Sequence, residues 1–384
     1  MTSKTTSLPD CSVLSISKLS LTNFRNYDQT TLDSGGKSVI LTGSNGAGKT
    51  NILEAISLLT PGRGLRGASI DDYQNMHTDN PWAVSSACTS MVGQARIGTG
   101  RGETPKRRAI RINGDGVKQA DLAEYMSCVW LTPQMDRLFN DGASSRRRFL
   151  DRLILGFDKA HAGRISGYEK ALRSRSHLLK DNCQDDTWLS SLEREISQRG
   201  IAIGATRLHM THRLNQVISN GFDGLNGFPG AHIDIKGVVE DWLKNYSASE
   251  SEDLFQNALK QSRPLDAVSG GAHIGIHKTD IHVQHLDKNM EASLCSTGEQ
   301  KALLISIILG DLQLQKFETG HMPILLLDEI PAHLDTKKLS ALFDAIDSLA
   351  PQVWYTGTKA NDFSLISKVC SNFIIEENTI IPCI

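Results

Sequence analysis

The feature that most constrains this chain is Gly43-Ser44-Asn45-Gly46-Ala47-Gly48-Lys49-Thr50, with the spacing G-x-x-x-x-G-K-[ST]. It follows the short apolar run Ser38-Val39-Ile40-Leu41 and precedes Asn51-Ile52-Leu53-Glu54-Ala55-Ile56, whose apolar positions recur at helical spacing. Strand, glycine-rich loop and helix are the context in which such a loop binds phosphate. The glycines let successive N–H groups turn inward without Cβ obstruction, and those donors meet the positive end of the helix. In that arrangement Gly43 to Gly48, taking in Ser44, Asn45, Gly46 and Ala47, cradle a nucleotide, Lys49 neutralises its β- and γ-phosphates, and the Thr50 hydroxyl ligates Mg2+. ATP with Mg2+ is the expected cofactor pair.

A second half of the same site is expected at Ile324-Leu325-Leu326-Leu327-Asp328-Glu329. An uninterrupted apolar run is how a parallel strand buried on both faces reads, and its carboxylates fall at the C-terminal end, where open α/β sheets bind ligands. Asp328 is assigned to the Mg2+ shell and Glu329 to polarising the attacking water.

Whole-chain charge does not point to a partner. The formal net charge is -2 over 384 residues, so any nucleic-acid surface must be a local patch. From Ser144 to Lys180, however, ten Lys and Arg face three Asp and Glu. This segment, with Arg146, Arg147 and Arg148 at its start, is either a solvated helix face or a phosphate-binding surface. The turn Pro61 to Arg66 carries two more arginines and is open to the same two readings. The seven cysteines are scattered, without a C-x-x-C pair, as expected of reduced thiols. No run approaches the length of a membrane span and the N-terminus lacks a signal pattern, so a cytoplasmic protein with no membrane partner is expected.

Along the chain, alternating stretches from Val13 to Asn23 and up to Leu32 predict paired strands, and runs at Val84–Met91 and Lys106–Asn113 predict an antiparallel layer bounded by turns at Gly98-Thr99-Gly100 and Asn113-Gly114-Asp115-Gly116. Val129 to Leu131 returns to the main sheet and ends near Gln134. Helical spacing then runs from Ser144 to about Asn220, with one more helix between Gly237 and Arg263. After Pro264 the pattern is strand-like and rich in histidine. His273, His277, His282 and His285 lack acidic or cysteine partners at ligand spacing and are read as solvated.

Upstream of the carboxylate strand, Ser296-Thr297-Gly298-Glu299-Gln300 opens a strongly apolar helix, a second phosphate-binding device in one chain. This resembles the signature motif of ABC-type ATPases, with Thr297 and Glu299 in place of the commoner glycine and glutamine. Pro331-Ala332-His333-Leu334-Asp335 resembles their D-loop, and Gln134 falls at their glutamine loop. Val353 to Thr358 carries no switch histidine, leaving Thr356 or Thr358 as substitutes. The runs Leu21 to Tyr27, Ser44 to Ala55 and Ser145 to Asp151 closely resemble the bacterial RecF family, although Gly275 to Asp280 departs from its usual proline-and-arginine version. Structural-maintenance-of-chromosomes relatives differ in carrying a long coiled coil where this chain has a short helical segment.

The resemblance implies an α/β fold: an ABC-type P-loop ATPase head, a mixed sheet beside an antiparallel β-layer, with an inserted helical lobe. The expected divisions are 12–135 and 264–384 for the two halves of the head and 136–263 for the lobe. It also implies nucleotide contacts from Arg25, Asn26, Gln134, Ser296, Gly298 and Asp335, with Gln134 near the metal. A head-to-head dimer would form on ATP, each signature completing the other chain's site, since self-complementary patches close by two-fold symmetry. The implied activity is that of an ATP-dependent DNA-binding protein, a weak DNA-stimulated ATPase, which helps load recombinase at gapped or junction DNA with RecO-like and RecR-like partners. A transporter's ATP-hydrolysing subunit and a P-loop small-molecule kinase are the rival readings. The first normally keeps its switch histidine, and the second has no use for Ser296 to Gln300.

Overall fold

The computed structural model describes residues 12–102, 108–181, 185–222, 225–330, 334–349, 351–366 and 369–383. These form two compact units. The first comprises the chain up to Met135, Phe222–Phe228, and the chain from Ile308. The second comprises Asp136–Gly221 and Pro229–Ile307. Among the described residues, no helix is long and apolar enough to cross a membrane.

The first unit holds two six-stranded sheets. One is parallel through Cys370–Glu376, Ser38–Thr42, Val353–Gly357, Ile324–Leu327 and Cys128–Leu131, with Thr379–Pro382 added antiparallel at the edge. Ser38–Thr42, Ile324–Leu327 and Val353–Gly357 are buried at every position, which is why their sequences show no alternation. The other sheet is antiparallel, and its strands Ser15–Phe24 and Ala83–Ser90 alternate buried and exposed positions. One core joins both sheets, with Phe24, Tyr73 and Trp82 packed ring on ring.

One expectation for this layer is corrected. Gly98-Thr99-Gly100 is not a turn but lies in a strand, Gly93–Arg101, paired with Ala83–Ser90. A Cβ on Gly100 would approach the Trp82 carbonyl to 2.7 Å, so the glycine there answers to close packing. Asn113-Gly114 does form a hairpin turn, both residues having positive φ, and the described strand before it is Arg108–Ile112.

The second unit is built on helices Ala143–Ile154, His161–Lys180, Asp186–Asn220, Val238–Asn245 and Ala248–Ser269. It does not end at 263. The last of these helices runs through Pro264 and stops at Gly270, in the left-handed conformation. The strand Asp280–His285 then pairs with Ala231–Lys236 inside the same unit. Ile281 and Val283 of this strand line a small space with Phe149, Leu150 and Leu153 of Ala143–Ile154. The span 237–263 contains two helices where one was expected, the break falling at the Ser247 capping box.

Two of the four histidines, His277 and His285, are not solvated as expected. His277 Nδ1 lies 2.8 Å from the Tyr168 hydroxyl and its Nε2 2.9 Å from the Ala272 carbonyl, and burial lowers its pKa. His285 is buried, while His273 and His282 pair with carboxylates. Cys88 and Cys295 are buried thiols and Cys383 is an exposed one; Cys11 and Cys183 lie outside the described residues.

Candidate functional site

The phosphate loop leaves Ser38–Thr42 and enters the helix Lys49–Ser57. Gly43, Gly46 and Gly48 all have positive φ, and a Cβ on Gly43 would stand 2.4 Å from the Ile375 carbonyl. A Cβ on Gly48 would meet the Asn26 amide and the Tyr27 hydroxyl. No side chain caps the helix and no acidic residue sits in its first turn, so its leading N–H groups remain open to an anion. Lys49, 4% exposed, folds across the loop and donates to the Gly43 and Ser44 carbonyls at 2.8 Å each. Burial lowers its pKa, against the pull of Glu329 and Asp328.

The strand Ile324–Leu327, one strand removed from Ser38–Thr42, brings Asp328 to the same place. The Thr50 hydroxyl lies 3.0 and 3.1 Å from its two carboxylate oxygens, and the Thr356 hydroxyl donates to Oδ1 at 2.7 Å. Burial raises the Asp328 pKa, and the two hydroxyls oppose the shift. Glu329 follows in the left-handed region, φ 50°, half-buried, with its N–H donating to Thr356 Oγ1 at 2.9 Å. A buried carboxylate beside a threonine hydroxyl and an open helix N-terminus fits Mg2+, which takes one or two protein oxygens and completes its shell with phosphate and water. The arrangement can bind a nucleoside triphosphate and hold a carboxylate one residue beyond the cation's ligand.

Other residues named from the sequence take different roles. The turn Arg25-Asn26 closes the hairpin Phe24↔Tyr27 and carries both residues to the loop. Asn26 reaches it, with Nδ2 3.4 Å from the Ala47 carbonyl and Oδ1 accepting from Asn51 at 2.6 Å. Arg25 does not. It makes a two-pronged pair with Glu54, at 2.9 Å for each prong, and lies over the Tyr73 ring. Glu54 is fully buried and also binds Arg66, so Arg25 and Arg66 brace the loop helix from below. No local signal marks Glu54 as buried except its place on the apolar face of the helix.

Gln134 is exposed, three residues past a strand whose end lies beside Leu327. Asp335 caps the helix Thr336–Leu349, accepting from the Lys338 N–H at 2.8 Å. Pro331, Ala332 and His333 lie outside the described residues. Thr358 is exposed, whereas Thr356 is fully buried.

Ser296 and Gly298 belong to the second unit, at the start of the helix Thr297–Thr319. Ser296 is exposed, and its N–H and hydroxyl both donate to Glu299 Oε2, at 2.9 and 2.8 Å. The Lys288 ammonium binds the same carboxylate and, with Ser296, lowers its pKa to about 2.

Half of the cations of the basic segment are exposed, and others are engaged inside the second unit. Arg146 holds Asp280 with two bonds at 2.8 and 2.9 Å, and Arg147 donates to the Thr279 carbonyl at 2.6 Å. Both were expected as candidate DNA contacts, and both guanidinium groups are engaged within the second unit. Arg148 is exposed and donates to the Ser145 hydroxyl of its own helix at 3.1 Å. Asp151 is gripped by Arg207 at 2.8 Å and lies 2.9 Å from His161.

With this geometry in place, the kinship of the chain can be read from comparison. Residues 15–380 match the family model of the RecF/RecN/SMC N-terminal domain. The DNA replication and repair protein RecF of Rhizobium leguminosarum bv. trifolii is 43% identical over 370 residues, 96% of this chain and 98% of its own. The chain belongs to the RecF family. RecF of Brucella suis biovar 1 is 44% identical over 347 residues, 90% of each chain. The solved structure of the recombination mediator protein RecF with ATP, in the RecFOR pathway, covers 97% of this chain and 98% of its own at a TM-score of 0.84 and 22% identity. An Smc head domain of Pyrococcus furiosus follows at a TM-score of 0.54 and 18% identity, covering 96% of each chain. The fold is thus the mixed α/β head shared by RecF and SMC proteins, with its antiparallel layer and helical region.

Proposed function

We propose that this RecF-family chain is a Mg-ATP-dependent DNA-binding protein of recombinational repair and replication restart. It pairs with a second copy on ATP and helps to load recombinase at gapped or junction DNA, with RecO-like and RecR-like partners. One observation carries the nucleotide part: Thr50, at the uncapped N-terminus that follows a glycine-built loop, contacts the buried Asp328, while Lys49 beside it folds across that loop. ATP with Mg2+ would supply the phosphoanhydride whose hydrolysis ends the bound state. Lys49 would leave its two carbonyls for the phosphates, Thr50 and Asp328 would hold the cation, and Glu329 would take the proton of the attacking water. Support for the cellular role comes from the relatives, which bear the name DNA replication and repair protein.

The DNA surface is proposed on the second unit, with Arg148 as its first contact. Two further exposed cations of the segment, Arg173 and Lys180, line a cavity of about 440 Å3 together with the exposed Lys278. Gel shifts of duplex, single-stranded and gapped DNA should show binding with ATP and little with ADP or without nucleotide. Each cation that touches a duplex phosphate, on replacement by alanine, should lower the slope of log affinity against log salt by about 0.9. Unchanged slopes for Arg148→Ala and Lys180→Ala would remove this surface from the DNA contact, and ATP-independent binding would contradict nucleotide control.

A further inference from the structure

Thr356 ends the strand Val353–Gly357, which lies between the phosphate-loop strand and the Asp328 strand, and it is fully buried. A threonine hydroxyl has one proton to give. Here that proton goes to Asp328 Oδ1 at 2.7 Å, while Thr356 Oγ1 accepts the Glu329 N–H at 2.9 Å. Both directions of the hydroxyl are therefore committed, and both go to the two acidic residues of the site. Glu329 stands at φ 50°, a conformation side-chain-bearing residues seldom adopt and keep only where neighbours enforce it.

We infer that Thr356 is a positioning residue of this nucleotide site, standing where ABC-type relatives carry a switch histidine but acting through Asp328 and Glu329 instead of on a phosphate. The Thr50 hydroxyl also contacts Asp328, at 3.0 and 3.1 Å. When Thr50 turns to a cation, Thr356 is the donor that keeps the Asp328 carboxylate in its rotamer. Its acceptor side meanwhile holds the left-handed turn that aims Glu329. Thr358, exposed two residues on, takes no part.

The inference rests on the Mg-nucleotide reading of the site, and the test separates the two. Full-length Thr356→Val and Thr356→Ser are compared with the parent chain for binding of a fluorescent ATP analogue, in Mg2+ and in EDTA, and for kcat and KM of ATP hydrolysis. In Thr356→Val the affinity in EDTA should stay within about twofold, because the phosphate loop is untouched. The additional affinity conferred by Mg2+ should fall about tenfold, the loss expected for one hydrogen bond to a charged group. The kcat should fall about ten- to a hundredfold with KM nearly constant, and Thr356→Ser should restore both. Parent-like Mg2+ dependence and kcat in Thr356→Val would overturn the inference. So would a Thr356→Ser protein as impaired as Thr356→Val, since shape and not the hydroxyl would then matter. Failure of the parent chain itself to bind the analogue would instead overturn the nucleotide site.

Discussion

Glu329→Gln is expected to leave ATP binding intact and to slow hydrolysis by about 10²–10⁴-fold, the usual contribution of a positioned general base. The amide keeps the shape of the carboxylate, and the backbone N–H that Thr356 accepts is unchanged, so the left-handed turn at 329 should persist. What is lost is the ability to take a proton from water. The nucleotide-bound state should therefore accumulate, visible as ATP-dependent association that outlasts that of the parent chain. Lys49→Met should behave in the opposite way. Its ammonium lies across the loop with a carbonyl at 2.8 Å on each side, poised for phosphate, and its loss should weaken binding itself. Single-turnover hydrolysis and nucleotide binding, measured side by side, separate the two. If Glu329→Gln turns over ATP at the parent rate, another group is the base.

The largest effect on stability is expected at Arg175. Its side chain is almost wholly buried and joins three helices: it donates to Glu193 at 3.0 Å, to Asp266 at 2.7 Å and to the Leu259 carbonyl at 2.6 Å. Arg175→Met fills much of the volume but leaves carboxylates facing a dry interior, and breaking such a pair by removing one partner costs about 3–5 kcal/mol. Arg263 still holds Glu193, and Ser262 and His273 still hold Asp266, which places the loss toward the lower end of that range. Arg173, two residues away and 71% exposed, pairs with Glu169 of its own helix at 3.7 Å. Arg173→Ala should stay within about 0.5 kcal/mol of the parent. Urea unfolding followed by helix content measures both. Equal midpoints for the two variants would mean that Arg175 is not the link between these helices.

These two arginines show where sequence reasoning reached its limit. The count of positive charge between Ser144 and Lys180 was sound, but the carboxylates that absorb it are distant in the chain. Asp280 for Arg146 and Asp266 for Arg175 leave no local pattern. The nucleotide site was far more legible. A phosphate loop must have glycine where a Cβ would strike a neighbour, and a parallel strand buried on both faces must be apolar throughout. Gly43 and Ile324–Leu327 obey those rules in plain view. The strand Gly93–Arg101 was missed because Gly98 and Gly100 weaken the alternation that marks its neighbours. Pro264 misled because a helix anchored at both sides can carry a proline through its last turns, here as far as Ser269. Thr356 was visible only as one of two substitutes for a histidine. Its partners, Asp328 and the Glu329 amide, are contributed by the neighbouring strand's end, and no spacing along the chain encodes that contact.

A functional site is proposed to need two chains, one supplying Lys49 and the other Ser296. Lys49→Met and Ser296→Arg are prepared as separate proteins and mixed, and ATP-dependent association is followed by size or cross-linking. Each variant alone would have two damaged composite sites, whereas a mixed dimer would regain one intact site, made of Lys49 from one chain and Ser296 from the other. Association should therefore be weak for either protein alone and partly recover in the mixture. If mixing restores nothing, while each variant folds and the parent chain dimerises with ATP, Ser296 does not act on a partner's nucleotide and the two-chain site is wrong.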